Sequence, residues 1–291
     1  MAVALQLVVS GLALGSIYAL LALALVIINK ATDVVNFAQG EMAMIGTFAG
    51  LAALTALKAP LWVVLLAAVP MGAIFGAVVE RVAIRPLAGA PPINALIATI
   101  GLFLVFHHLA GWVWGYDPYR FPSLFSTAPI ELGSVRISQA SLGILGVSLG
   151  VMVLLYLFYE HTRAGTAMRA ASMNRRAARL MGVNVARVSM TAWAIATAVS
   201  VVAGMLIAPL TFLDFEMMVI VLLKAFAGAI LGGFNSLPGA VVGCLAIGVI
   251  ENLFGAYVST AFKDAFAFGI IVVVLMARPA GLFTRRVAAK V

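Results

Sequence analysis

The chain has 291 residues, of which 64% are hydrophobic and only 10% charged, and its mean hydropathy is +1.16. Soluble domains carry roughly a quarter charged residues, so this composition excludes an ordinary soluble protein and requires a lipid environment. The net charge of +8 reads as the Lys and Arg bias of cytoplasmic loops and not as a nucleic-acid footprint. The single Cys244 lies in an apolar run, which rules out an internal disulfide and marks a small packing residue.

In chain order, stretches of about 20 apolar residues predict membrane helices at 4–28, 41–57, 61–84, 93–112, 140–159, 189–208, 217–233, 238–258 and 264–277. The expected fold is therefore an all-α polytopic bundle of about nine transmembrane segments, eight to ten at the limits, and it forms one domain over 1–291. Residues 1–29 carry no charge, unlike the basic start of a cleaved secretory signal, so the first segment reads as a retained span. Segment 29–41 is short and polar enough to be re-entrant.

Charge sets the expected orientation. Residues 160–188 hold Arg163, Arg169, Arg175, Arg176, Arg179 and Arg187 against Glu160, and the tail 278–291 adds Arg278, Arg285, Arg286 and Lys290. Both should be cytoplasmic. Counting back through the spans puts loop 113–139 and the N-terminus outside and the C-terminus in the cytoplasm. Trp62, Trp112 and Trp114 then fall at outer ends and Trp193 near an inner one, as interfacial tryptophans do. Four small-residue pairs, Gly11/Gly15, Gly72/Gly76, Gly228/Gly232 and Gly239/Gly243, have the spacing that lets helix backbones approach closely in lipid.

The basic loop 160–188 contains a defined local signal. "ASMNRRAARLMGV" places Asn174 as an N-cap and Gly182 as a C′ residue around two turns of helix, and "TRAGTAMRAAS" before it predicts another short helix from Gly165. Arginines directly after an N-cap oppose the helix dipole, so local stability does not explain Arg175 and Arg176. A topological signal needs only charge, whereas an Ala-rich helix of fixed length, with Ala177, Ala178 and Leu180 on an apolar side, suits docking to a soluble partner.

Polar groups at membrane depth are costly and are functional candidates. Asn36, Gln39 and Glu41 cluster around Gly40, next to Phe37, just after the first span; they either border a path or gate, or satisfy the backbone of a broken helix. Lys224 and Glu251 lie on the late helices joined by "GGFNSLPG", which turns near Asn235 and Ser236. Their distances from that turn differ by about four residues, or about 6 Å of helical rise, which a lysine stem can bridge as a structural ion pair. His107 and His108 are adjacent, point to different faces and are assigned to packing or the outer interface. No G-x-x-x-x-G-K-[ST] phosphate loop and no hydrolase motif occurs in the sequence. Energy must then come from another subunit or an ion gradient.

"GTAMRAASMNRRAARLMGVNVARV" resembles the coupling segment of ABC-transporter permeases of the branched-chain amino acid type, the LivH-like subunit. The likeness continues through "GLALGSIYALLALALVIINKATDVVNFAQGEMAMIGTF", "ERVAIRPLAGAPPINALIATIG", "KAFAGAILGGFNSLPGAVVGCLAIGVIENL" and "KDAFAFGIIVVVLMARPAGLF", nearly the whole chain. It departs where the family usually has acidic residues before the coupling helix, here Asn174-Arg175-Arg176, and where the family's common histidine is Gln39. The resemblance implies a non-enzymatic permease subunit in a bacterial inner membrane, importing branched-chain or related small amino acids. It further implies a second permease (LivM-like) or a second copy, two cytoplasmic ATPases (LivG/LivF-like) that bind ATP and Mg, and a periplasmic or lipid-tethered solute-binding protein. Gly165, Arg169 and the stretch Asn174 to Gly182 would be the ATPase-coupling surface. A ribose-type sugar permease is the near alternative. A proton-coupled secondary transporter using Glu41, Lys224 and Glu251 is the distant one, and an intramembrane enzyme lacks a recognisable catalytic group.

Overall fold

A computed structural model describes residues 2–126, 128–132, 135–234 and 236–277. The predicted basic tail 278–291 and the turn residue Asn235 lie outside the described residues.

The chain begins with α1 (Ala2–Thr32), a 31-residue helix that runs past its predicted end and carries Lys30 in its last turn. Residues 33–38 are irregular, and α2 (Gln39–Leu57) follows. Next come α3 (Leu61–Val79), continued by a π-helical turn Glu80–Ile84 and a 3₁₀ turn Arg85–Leu87, and α4 (Pro92–Trp114). Buried Glu80 pairs with Arg85 at 2.9 Å across that distorted stretch. The loop expected over 113–139 contains a short antiparallel hairpin, β1 (Pro129–Leu132) with β2 (Val135–Ser138), which the all-α reading did not anticipate. After it come α5 (Gln139–His161), α6 (Arg163–Met173), α7 (Arg175–Leu180), α8 (Val185–Thr211), α9 (Met217–Gly232), α10 (Leu237–Tyr257) and α11 (Lys263–Ala277).

Seven helices among the described residues are long and apolar enough to cross a membrane. The other two predicted spans form α9, 16 residues, and α11, 15 residues. At 1.5 Å per residue α9 reaches about 24 Å, short of a ~30 Å hydrocarbon core, and α11 is described only as far as Ala277.

The bundle is built around α1 and α8. In the most apolar window of each helix, 89% of α1 and 72% of α8 are buried within the chain, against 11% of α5. Lipid offers no hydrophobic drive for helix association, so close backbone packing must supply the contact energy. The four glycine pairs do this. A Cβ on Gly11 would lie 2.7 Å from Val249 Cα on α10, one on Gly76 2.4 Å from Trp193 O on α8, and one on Gly243 2.1 Å from Gly228 O on α9. Cys244 is the expected packing residue: it is buried, and its Sγ lies where a Cβ on Gly228 would fall. Trp193 departs from expectation. It is fully buried between α3, α4 and α8 with Val79 and Phe106, and so is a core residue instead of an interfacial anchor.

Candidate functional site

The basic loop 160–188 forms two helices at a bend, with one boundary moved. Helix α6 starts at Arg163, two residues before the predicted Gly165, because Thr162 is the N-cap and its Oγ1 accepts from Gly165 N at 3.0 Å. Gly165 serves a close approach: a Cβ there would lie 2.3 Å from Tyr159 O, so glycine lets α6 fold back against the end of α5. Arg169 is not free for a partner, since it pairs with Glu160 and also donates to that residue's backbone carbonyl.

The termini of α7 follow the sequence signal. Asn174 Oδ1 accepts from the backbone N–H groups of Arg176 and Ala177, both at 3.0 Å. Gly182 has φ +86, a left-handed conformation suited to glycine, and the N–H of Val183 closes the end on Ala178 O at 2.9 Å. The faces differ from the expected apolar side. Ala178 is buried against the chain's own helices and anchors α7, while Ala177, Arg176 and Arg179 are exposed. The free apolar surface is Met173 at 89%, Leu180 at 88% and Met181 at 84% exposure. Arg175 turns inward: it donates to Ala31 O at 2.9 Å and pairs with Asp33 at 3.1 Å, tying α7 to the end of α1.

The break between α1 and α2 is polar and closed. Asn36 and Gln39 are fully buried; Asn36 Nδ2 donates to Gln39 Oε1 at 2.7 Å, and Gln39 Nε2 donates to Ser200 Oγ on α8 at 2.7 Å. Asn36 Oδ1 also accepts from Ala38 N at 3.1 Å. These bonds satisfy the irregular backbone and fasten it to α8. Gly40 packs against Met218 and Leu222 of α9, and Phe37 meets Phe226 at 6.2 Å. Glu41 is also buried, with one carboxylate oxygen 3.4 Å from His107 Nδ1 on α4.

Lys224 and Glu251 do form the expected pair, Nζ to Oε1 at 2.7 Å, as one part of a larger group. Asp264 at the start of α11 also lies 2.7 Å from Lys224, Tyr18 OH on α1 donates to Glu251 Oε2 at 3.2 Å, and Lys263 lies 3.7 Å from Glu251. This group lines a cavity of about 820 Å³, within the roughly 300–1,000 Å³ of small-molecule sites. Its other walls include Leu14, Ile144, Ile207 and Ile220, with Asp214 and Glu216 on the α8–α9 connection and His107 on α4. Tyr18, His107, Lys263 and Asp264 were missed as site residues. Tyr18 looks like any aromatic in a span and Lys263-Asp264 like charges at a span end, and only the packing of seven helices builds the cavity that they share.

The cavity lies at the end of the bundle remote from α7. Its residues come from the first half of α1, the later turns of α4 and α8, the start of α5, α9 and α11 and the later part of α10. Helix α7 instead contacts the last turn of α1 and lies just before the start of α8.

The family model described as "Branched-chain amino acid transport system / permease component" matches residues 7–275. The high-affinity branched-chain amino acid transport system permease protein LivH of Salmonella typhimurium is 34% identical, covering 99% of this chain and 97% of its own length. BraD of Pseudomonas aeruginosa, described in the same words, is 33% identical over 99% and 98%. A probable LivH of Methanocaldococcus jannaschii is 31% identical over 85% and 80%. No solved structure matches. With a family model covering almost its full length and relatives above 30% identity, this chain belongs to the permease components of branched-chain amino acid transport systems.

Proposed function

We propose that this chain is the membrane-spanning permease of an ATP-driven importer for branched-chain or related aliphatic amino acids in a bacterial cytoplasmic membrane. A second permease or a second copy completes the pathway, two cytoplasmic ATPases bind ATP and Mg, and a solute-binding protein delivers substrate from outside. The observation that carries this reading is α7, a helix capped at both ends and seated on the bundle by one face, with Met173, Leu180 and Met181 exposed beside Arg176 and Arg179. An apolar centre with a charged rim suits a protein groove better than open water. Buried Ala178 and the Arg175 contacts with α1 would pass a push on α7 to the helix at the centre of the bundle.

With α7 in the cytoplasm, the chain alternates sides at every helix from α1 to α5 and from α8 to α11. On this reading the N-terminus is outside, the end of α11 is inside, and α9 and α11 cross along with the seven long helices. The cavity then faces the outer side, where a binding protein would release solute.

The test is reconstitution. The permease should co-purify with ATPases encoded beside it, and leucine with its binding protein should stimulate ATP hydrolysis and drive uptake into proteoliposomes. Purification without any ATPase, or uptake that follows a proton gradient and ignores ATP, would move the assignment to a secondary transporter.

A further inference from the structure

The Lys224 centre holds one more carboxylate than a buried lysine needs. Glu251, whose side chain is 3% exposed, is fixed from two sides, by Lys224 and by Tyr18 OH. Asp264 makes an equally short contact to Lys224 but has a side chain 40% exposed, and it sits on the first turn of α11. A structural pair would be complete with Glu251 alone. The second carboxylate lies on the wall of a large cavity whose remaining lining is mostly aliphatic, including Leu14, Ile144, Ile207 and Ile220.

We propose that this cavity is the transmembrane substrate site and that an aliphatic amino-acid zwitterion enters by inserting into the Lys224–Asp264 contact. This rests on the importer reading above. The incoming α-carboxylate replaces Asp264 on Lys224, and the released Asp264 carboxylate receives the α-ammonium. Each charge keeps a partner of opposite sign and the net charge of the site does not change, so an uncompensated buried ion is avoided at the end state. Glu251 and Tyr18 hold Lys224 in place during the exchange. The aliphatic wall of Leu14, Ile144 and Ile207 takes the side chain, and Ile220, half exposed and one helical turn before Lys224 on α9, lies beside it on the same face. Insertion also separates the start of α11 from α9, so occupancy loosens a peripheral helix.

The insertion needs both ends of the zwitterion. 4-Methylpentanoate, leucine without its ammonium, leaves Asp264 unpaired; 3-methylbutylamine, leucine without its carboxylate, leaves Lys224 on Asp264. The experiment places a thiol in the cavity of the assembled complex with Ile220→Cys, Cys244 being buried and slow to react. Leucine should slow its modification by a small methanethiosulfonate reagent about tenfold at about ten times its Kd, and neither half-molecule should. Asp264→Asn should abolish protection at unchanged complex yield, and Asp264→Glu should restore part of it. Equal protection by either analogue overturns the insertion, as does no protection at leucine concentrations that support uptake. If Asp264→Asn fails to assemble, the three-ligand comparison in Ile220→Cys still decides. Uptake without protection removes this site and leaves the importer reading standing; protection without uptake does the reverse.

Discussion

Glu251 and Asp264 both lie 2.7 Å from Lys224, and this makes the consequences of truncation unequal. Removing Glu251 leaves Lys224 on Asp264. Removing Lys224 leaves Glu251 buried, with only the Tyr18 hydroxyl and Lys263 at 3.7 Å. Leaving a buried charge without its partner costs about 3–5 kcal/mol, so Lys224→Met should lower the thermal stability of the purified complex clearly more than Glu251→Gln. The double variant should recover part of the Lys224→Met loss. Equal losses for the two single variants would mean that Asp264 does not support Lys224. The Lys224–Glu251 pair was legible because both residues belong to one hairpin, whose turn sets their relative height. Tyr18 and Asp264 were not, because no spacing within the sequence gives the register of α1 or α11 against that hairpin.

At the scale of elements, glycines at close approaches should behave differently from glycines facing outward. Gly243→Ala must push α10 off α9, since its Cβ would fall 2.1 Å from Gly228 O, whereas Gly146→Ala on α5 meets nothing within 4 Å. The first should reduce yield and stability by an amount typical of overpacking, about 1–3 kcal/mol, and the second should be silent when both are compared by thermal inactivation in detergent. A loss from Gly146→Ala would place a partner helix on α5. The segment proposed to couple to the ATPases separates in the same way. Arg176→Glu with Arg179→Glu should weaken ATPase docking, more at low salt than at high. Arg175→Glu should leave docking intact and reduce uptake per ATP hydrolysed, because it breaks the tie to Ala31 and Asp33. The caps of α7 could be read from Asn174 and Gly182, since capping is a local preference. Its inward and outward faces could not, because they depend on where α1 and α8 pass.

For the whole molecule, hydropathy located all nine apolar helices, because membrane depth imposes length and composition on each segment separately. It gave α9 one residue more than the 16 of the helix, and it could not find the cavity, whose lining is drawn from distant parts of the chain. The cavity's position also changes what the polar break between α1 and α2 can do. Asn36 and Gln39 line no part of it; they join Ser200 in a sealed contact between α2 and α8, deeper toward the α7 end. If the cavity is the substrate site and α7 the ATPase side, as proposed above, this contact is the seal below the substrate. This gives a sided prediction for the assembled complex in oriented vesicles. Leu210→Cys, on the cavity wall at 48% exposure, should react with a membrane-impermeant thiol reagent added from outside when the ATPases are idle, while Asn36→Cys stays unreactive. Trapping the ATPases with nucleotide should reverse the order, with Leu210→Cys protected and Asn36→Cys reached from the cytoplasmic face. Protection of Asn36→Cys in every nucleotide state would assign the α1–α2 break to holding the backbone alone, and the moving seal would have to be sought among other contacts of α8.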